Sequence, residues 1–258
     1  MRLKEQSKGV SIANLRAWAL VCVALGAAAV TIILRGLLKV DMLNPNMEQV
    51  MGLFSEEQTR TYVIVTLICL AVETCAVPLF AVMLVEGSYR TLDISKYMIR
   101  AALVAVVSEI PYDYATMGKV LDLTNLNPAF GTAIALVMLF FFLRYSDRTV
   151  GHYVLRSVIT LAMILWTVIF NVTQGPCIVL ITAVLWTFWN KPLWRSIMGA
   201  VACLLCAVLI SPFYIAAPLA MILIYFYRGE KGMDFKWGRL IAYPAIMVLV
   251  AAVLLFLH

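Results

Sequence analysis

The stretch VVSEIPYDYATMGK, residues 106–119, closes a long apolar run with two carboxylates, Glu109 and Asp113, set around Pro111. On a helix these acids stand at i and i+4, on one face. Two readings follow. In the first they are solvated at a helix end, with Tyr112 and Tyr114 as an interfacial aromatic belt. In the second they form a polar site at the membrane edge, where two neighbouring carboxyls resist joint ionisation and one is suited to proton transfer.

The surroundings of that stretch are apolar along the whole chain. Of 258 residues, 64% are hydrophobic and 13% charged, and the mean hydropathy is +0.95. Soluble domains carry about 45–50% apolar and about 25% charged residues. A soluble fold of this length cannot hide so much apolar surface, so the chain is read as an integral membrane protein. Its apolar runs show no period-two alternation, which favours helices over a closed barrel. A bilayer core of about 30 Å needs about 20 residues per helix. The runs divide into nine spans: 17–38, 61–85, 97–114, 127–144, 153–171, 174–190, 194–210, 213–228 and 240–257. The expected fold is all-α, a polytopic helix bundle of about nine transmembrane helices forming a single domain over residues 1–258. Pro78, Pro111, Pro218 and Pro244 are each expected to disturb a helix.

Charge sets an orientation on this division. With the N-terminus inside, 16 of the 20 Lys and Arg fall on inner segments, Arg90, Lys96, Arg100, Arg144, Arg156, Arg195 and Arg228 among them. Only Arg35, Lys39, Arg60 and Lys119 fall outside. Such asymmetry predicts an N-inside, C-outside topology. It also accounts for the net charge of +6 without a nucleic-acid partner. The first span runs on without a cleavage site and is read as uncleaved, with a small-residue face at Ala24, Gly26, Ala27 and Ala28. SEEQ at 55–58 resembles a capping box opening the second span.

Other chemistry is sparse. All six cysteines lie in apolar runs, and the Cys203/Cys206 pair has no His or carboxylate beside it, which reads as packing. No phosphate-loop motif and no metal-ligand spacing occur, so no metal is expected. His152 lies in an inner loop and His258 ends the chain, and neither is placed for catalysis. Asn171-Val172-Thr173 matches a glycosylation sequon close to the membrane. Glu73, in AVETCAVPLF, is a mid-span acid and hence either functional or paired with a neighbouring helix. Glu86, in LVEGSYRT, is either a solvated helix end capped by Gly87 or part of a polar cavity.

These motifs have a familiar order. Residues 75–119, CAVPLFAVMLVEGSYRTLDISKYMIRAALVAVVSEIPYDYATMGK, resemble the signature region of the TraX family, bacterial membrane proteins named for a conjugative-plasmid protein that acetylates pilin. The family pattern is a proline-centred helix, then L-V-E-G, K-Y-x-x-R and S-E-I-P-[FY]-D. Pro78, Leu84 to Gly87, Lys96-Tyr97 with Arg100, and Ser108 to Asp113 match it. NPAFGTAIAL at 127–136, PLAMILIYFYRGEKG at 218–232 and LIAYPAIM at 240–247 are similar to later segments. The resemblance implies a multi-pass acyltransferase of the bacterial plasma membrane. Acetyl-CoA would enter from the cytoplasm, and a membrane-protein or envelope acceptor would be modified in or across the bilayer. It implies Glu109 and Asp113 as catalytic candidates and Arg100 and Arg90 as holders of the CoA phosphates. Glu73, Glu86, Tyr112 and Asn127 would line or support the cavity.

Two departures stand against that pattern. The family's D-H-x-G in the first span aligns with Gly26 and Ala27, and its Y-P-x-H reads Tyr243-Pro244-Ala245-Ile246. Without those histidines, a carboxylate must act as base, or the chain is a non-catalytic relative that binds a membrane partner or lipid. A small-molecule transporter would show an internal repeat, and none is evident.

Overall fold

In hydrocarbon every backbone N–H needs a partner within the protein, and this chain answers with helices. The computed structural model describes residues 9–40, 52–147, 149–230, 232 and 238–257. Arg2, Lys4, Lys8, Arg148, Lys231, Lys236, His258 and the Arg239 side chain lie outside the described residues, as do residues 41–51 of the first outer loop. Among the described residues the regular structure is helical, with two isolated backbone bridges, Val10–Tyr227 and Leu126–Val172.

Helix α1, Ile12–Ala28, is capped by the Ser11 side chain and continues as a π-helical segment, Ala29–Leu37. Then come α2 (Glu57–Thr74), α3 (Ala76–Arg90), α4 (Ile94–Met117), α5 (Pro128–Arg144) and α6 (Val150–Ile169). They are followed by α7 (Gly175–Thr187), α8 (Pro192–Leu209), two 3-10 turns (Pro212–Ile215 and Ala217–Leu219), α9 (Ala220–Phe226) and α10 (Gly238–Leu257). Among the described residues, four helical stretches are long and apolar enough to cross a membrane: Ile12–Leu37, Thr59–Arg90, Val150–Ile169 and Pro192–Leu209. Pro128–Arg144, Gly175–Thr187, Pro212–Phe226 and Ile241–Phe256 are shorter apolar helices.

The bundle centres on α3 and α7. Helix α3 packs against α1, α5 and α7, and α7 also packs against α5, α6 and α8. Helix α7 is accordingly apolar nearly all round, and α3 is apolar as far as Val85. Helix α6 is the opposite case, with only Arg156 and Thr167 buried, while Val154, Val158, Leu161, Leu165 and Ile169 are all more than half exposed. Water would not tolerate that face, whereas lipid chains are as apolar as Leu.

Proline places the breaks. Pro78 has no N–H for the Thr74 carbonyl four residues back and crowds it, and the second span accordingly splits at Cys75 into α2 and α3. The eighth expected span, 213–228, is not one α-helix. Pro212 and Pro218 divide it into two 3-10 turns and the seven-residue α9. Helix α7 has 13 residues, about 20 Å at 1.5 Å per residue, and is shorter than the expected 174–190. The SEEQ reading shifts by one position: Glu56 is the N-cap of α2 and its side chain makes no capping bond. Glu86 is not a solvated helix end either. Helix α3 runs on to Arg90, and Glu86 is buried and ion-paired with Arg90.

Candidate functional site

Short loops bring the start of α5 beside the start of α7. Leu126 N–H donates to Asn171 O at 3.2 Å and Thr173 N–H donates to Leu126 O at 2.9 Å. Asn171 Nδ2 donates to Thr124 O at 2.9 Å, so the sequon asparagine is a stitch in this seam. Asn171 and Gln174 both adopt left-handed backbone, with φ of 46° and 58°. Asn tolerates that region, but Gln rarely visits it. The seam therefore holds Gln174 in place as the N-cap of α7.

Helix α4 brings the opening acids to the same place. Its fifth and sixth turns bury Glu109, Tyr112 and Asp113, and Asp113 is 0% exposed. Glu109 Oε2 accepts from Asn127 Nδ2 at 2.5 Å and from the Asn127 backbone N–H at 3.2 Å. Asn127 is fully buried and caps α5, with its Oδ1 accepting from Ala129 N–H at 2.8 Å and its Nδ2 also donating to Ala105 O at 2.8 Å. Asp113 Oδ2 accepts from the Asp122 backbone N–H at 2.6 Å. The second oxygens, Glu109 Oε1 and Asp113 Oδ1, are buried without a hydrogen-bond partner, and so is the Tyr243 hydroxyl of α10. Tyr112 donates its hydroxyl to Thr173 Oγ1 at 3.2 Å and is buried, so it is not an interfacial belt residue.

Glu73 completes the cluster from the α2 side. Its carboxylate meets the Gln174 side chain and lies against Gly26 of α1. A Cβ built on Gly26 would stand 2.1 Å from Glu73 Oε2, so only glycine leaves room there. Among the described residues Glu73, Glu109 and Asp113 have no salt-bridge partner. For Glu109 and Glu73 what favours the charge is the positive end of a helix: Glu109 accepts from the backbone N–H of Asn127, the N-cap of α5, and Glu73 lies by Gln174, the N-cap of α7.

The remaining candidates gather at the opposite end of the bundle. There Arg90 pairs with Glu86 and donates from Nη2 to Gly229 O at 2.5 Å, and Arg100 is exposed on α4. His152 is remote from the acids, with Nδ1 3.7 Å from Asp147 Oδ2. Neither the cysteines nor any other His, Asp or Glu side chains among the described residues form a metal-holding group. Sequence reading missed Gln174, Thr173 and Tyr243 as members of the cluster. The available signal was modest: Asn127-Pro128 and Gln174-Gly175-Pro176 are both cap-then-proline helix starts.

Residues 58–256, which contain every member of this cluster except Gly26, match the family described as TraX protein. The chain belongs to the TraX family. Within that TraX region the match takes in the α3–α4 signature and continues into α10, so it extends well past SEIPYD. No curated protein and no solved structure matches the chain.

Proposed function

We propose that this TraX-family chain is a multi-pass acyltransferase of the bacterial plasma membrane, with acetyl-CoA as donor and a protein or envelope component as acceptor. The observation that carries the reading is the buried Glu109–Asn127–Asp113 cluster, which adjoins the start of α5 and keeps two carboxyl oxygens unpartnered. In this reading the acceptor hydroxyl or amine gives its proton to Glu109 or Asp113. Its oxygen or nitrogen then forms a bond to the acetyl carbonyl carbon, the C–S bond breaks, and CoA leaves as a thiolate that takes up a proton. Asn127 positions Glu109, while Glu73, Tyr112 and Tyr243 supply the polar wall. Exposed Arg100 serves the donor's phosphates at the other end of α4; Arg90 is already committed to Glu86 and Gly229, which leaves it a supporting part.

The chain crosses the bilayer nine times in this proposal, with α9 and its 3-10 turns as one irregular crossing. The described Arg90, Lys96, Arg100, Arg144, Arg156, Lys191, Arg195 and Arg228 then lie at the cytoplasmic end, as the positive-inside rule asks. The test is CoA release from acetyl-CoA by the purified protein with membrane extract as acceptor. Release that falls at least 100-fold in Glu109→Gln, with insertion unchanged, supports a carboxylate base. No release, beside an active TraX protein that has both family histidines, favours a non-catalytic relative that binds a membrane partner.

A further inference from the structure

The end of the bundle away from the carboxylates holds a continuous strip of cations and rings that the acyl-transfer reading does not use. Arg156 of α6 lies 5.1 Å from the ring of Trp186. Tyr89 of α3 stacks on Trp186 at 6.5 Å and meets Trp189 at 6.1 Å. Arg195 of α8 lies 4.9 Å from Trp189 and 5.9 Å from Tyr227. Four helix ends and the segment after α9 thus converge on one layer.

Both guanidiniums are buried, Arg156 at 8% and Arg195 at 4% exposure, and among the described residues neither forms a salt bridge. Glu86 is the carboxylate that faces Arg195, and it is already paired with Arg90. Their hydrogen bonds go to backbone carbonyls: Arg195 Nη2 to Ile224 O at 2.9 Å, and Arg156 Nε to His152 O at 3.1 Å. Two buried N–H groups are left over, Arg195 Nε and Trp186 Nε1. Both groups only donate. A surplus of buried donors beside two buried cations, with only the shared Glu86 carboxylate facing Arg195, calls for an acceptor-rich anion. Tyr89, at the middle of the strip, is 46% exposed and gives the layer a way in.

We propose that this arginine–aromatic layer binds a phosphate ester, its oxygens on Arg195 Nε and Trp186 Nε1 and its charge balanced by Arg156 and Arg195. Two sources carry that chemistry, a soluble cofactor such as CoA and an anionic phospholipid headgroup. The inference goes beyond acyl transfer, because binding is read without acceptor or turnover. The test uses the purified full-length chain in neutral detergent and phosphate-free buffer. Calorimetric titration with CoA gives one arm. Counting phosphatidylglycerol retained from mixed phosphatidylcholine nanodiscs, by native mass spectrometry, gives the other.

Binding of either probe that weakens at least tenfold in Arg195→Gln and in Trp186→Phe supports the site, and the responding arm names the source. If Arg195→Gln does not fold, Trp186→Phe decides alone, since it keeps an aromatic ring and removes only the N–H. The proposal is overturned if neither probe binds, or if both folded variants bind as the unaltered chain does. A chain that binds CoA in this way yet releases none with acceptor keeps the phosphate site and loses the acyl-transfer reading.

Discussion

Replacing Asn127 by Ala tests the joint between the acids and the helix start they serve. The side chain makes three bonds: Oδ1 caps α5 at Ala129 N–H (2.8 Å), and Nδ2 reaches Ala105 O (2.8 Å) and Glu109 Oε2 (2.5 Å). Loss of an N-cap costs about 1 kcal/mol. Interhelical side-chain bonds in membrane bundles average about 0.6 kcal/mol each. Together the loss is about 2 kcal/mol, or about 30-fold in the folding equilibrium constant. The Asn127 backbone N–H still reaches Glu109 after the change, so a collapse is not expected. The assay is equilibrium unfolding in mixed detergent micelles with rising dodecyl sulfate, followed by tryptophan fluorescence. Asn127→Asp is the companion variant, because it keeps the capping oxygen but turns a donor facing Glu109 into an acceptor. It should be destabilised at least as much as Asn127→Ala. A loss below about 0.5 kcal/mol in Asn127→Ala, or unaltered stability in Asn127→Asp, would refute the claim that this asparagine ties α4 to α5.

Other parts of the molecule respond in their own ways. Gly26→Ala forces a Cβ into the Glu73 carboxylate and should cost about 1–3 kcal/mol as overpacking. Adding Glu73→Ala should return at least about 1 kcal/mol of that in a double-mutant cycle, and strict additivity of the two changes would argue against the contact. Arg35 donates from Nη1 to Tyr114 O at 2.7 Å and Ala115 O at 2.6 Å, closing the end of α4. Arg35→Ala should lose about 1.5–3 kcal/mol in the same unfolding assay, and a silent change would remove that cap from the account. Asp122, in the loop before α5, is held at about 2, below its ordinary 3.8, by Lys119 and by Thr124. A depressed carboxylate stabilises the fold above its unfolded pKa and loses that contribution as pH falls toward the folded one. The melting-temperature gap between the unaltered chain and Asp122→Asn should be constant above about pH 4 and close between about pH 4 and pH 2. A gap that widens with acid would contradict the assignment.

SEIPYD shows what was legible in one dimension and what was not. That Glu109 and Asp113 share a helix face follows from their spacing and from nothing else. That both are buried does not, because burial depends on what α5 brings to them. Asn127 stands 18 residues beyond Glu109, across a turn, and bonds it only because α5 folds back against α4. The broken eighth span is a similar case. Pro218 announced a disturbance, but only the folded chain showed the segment as 3-10 turns, the first opened by Pro212, and a short helix. For Glu86 a solvated helix end and a polar cavity both stood open, because Arg90 is a local neighbour in either case, and only burial in the fold decided against the first.

Composition and the run lengths of apolar residues, by themselves, determined that this chain is a helical membrane protein, since bilayer solvation acts on every residue alike and leaves its mark in the average. The motif order carried the TraX resemblance, because a family signature is a one-dimensional pattern. Tertiary structure decided the rest: which acids meet, which arginines are already paired, and which buried N–H groups are left without an acceptor. Several of those outcomes depend on groups distant in sequence meeting in space, as Glu109 meets Asn127 over 18 residues and Arg90 meets Gly229 O over 139, and helix packing selects which of them do.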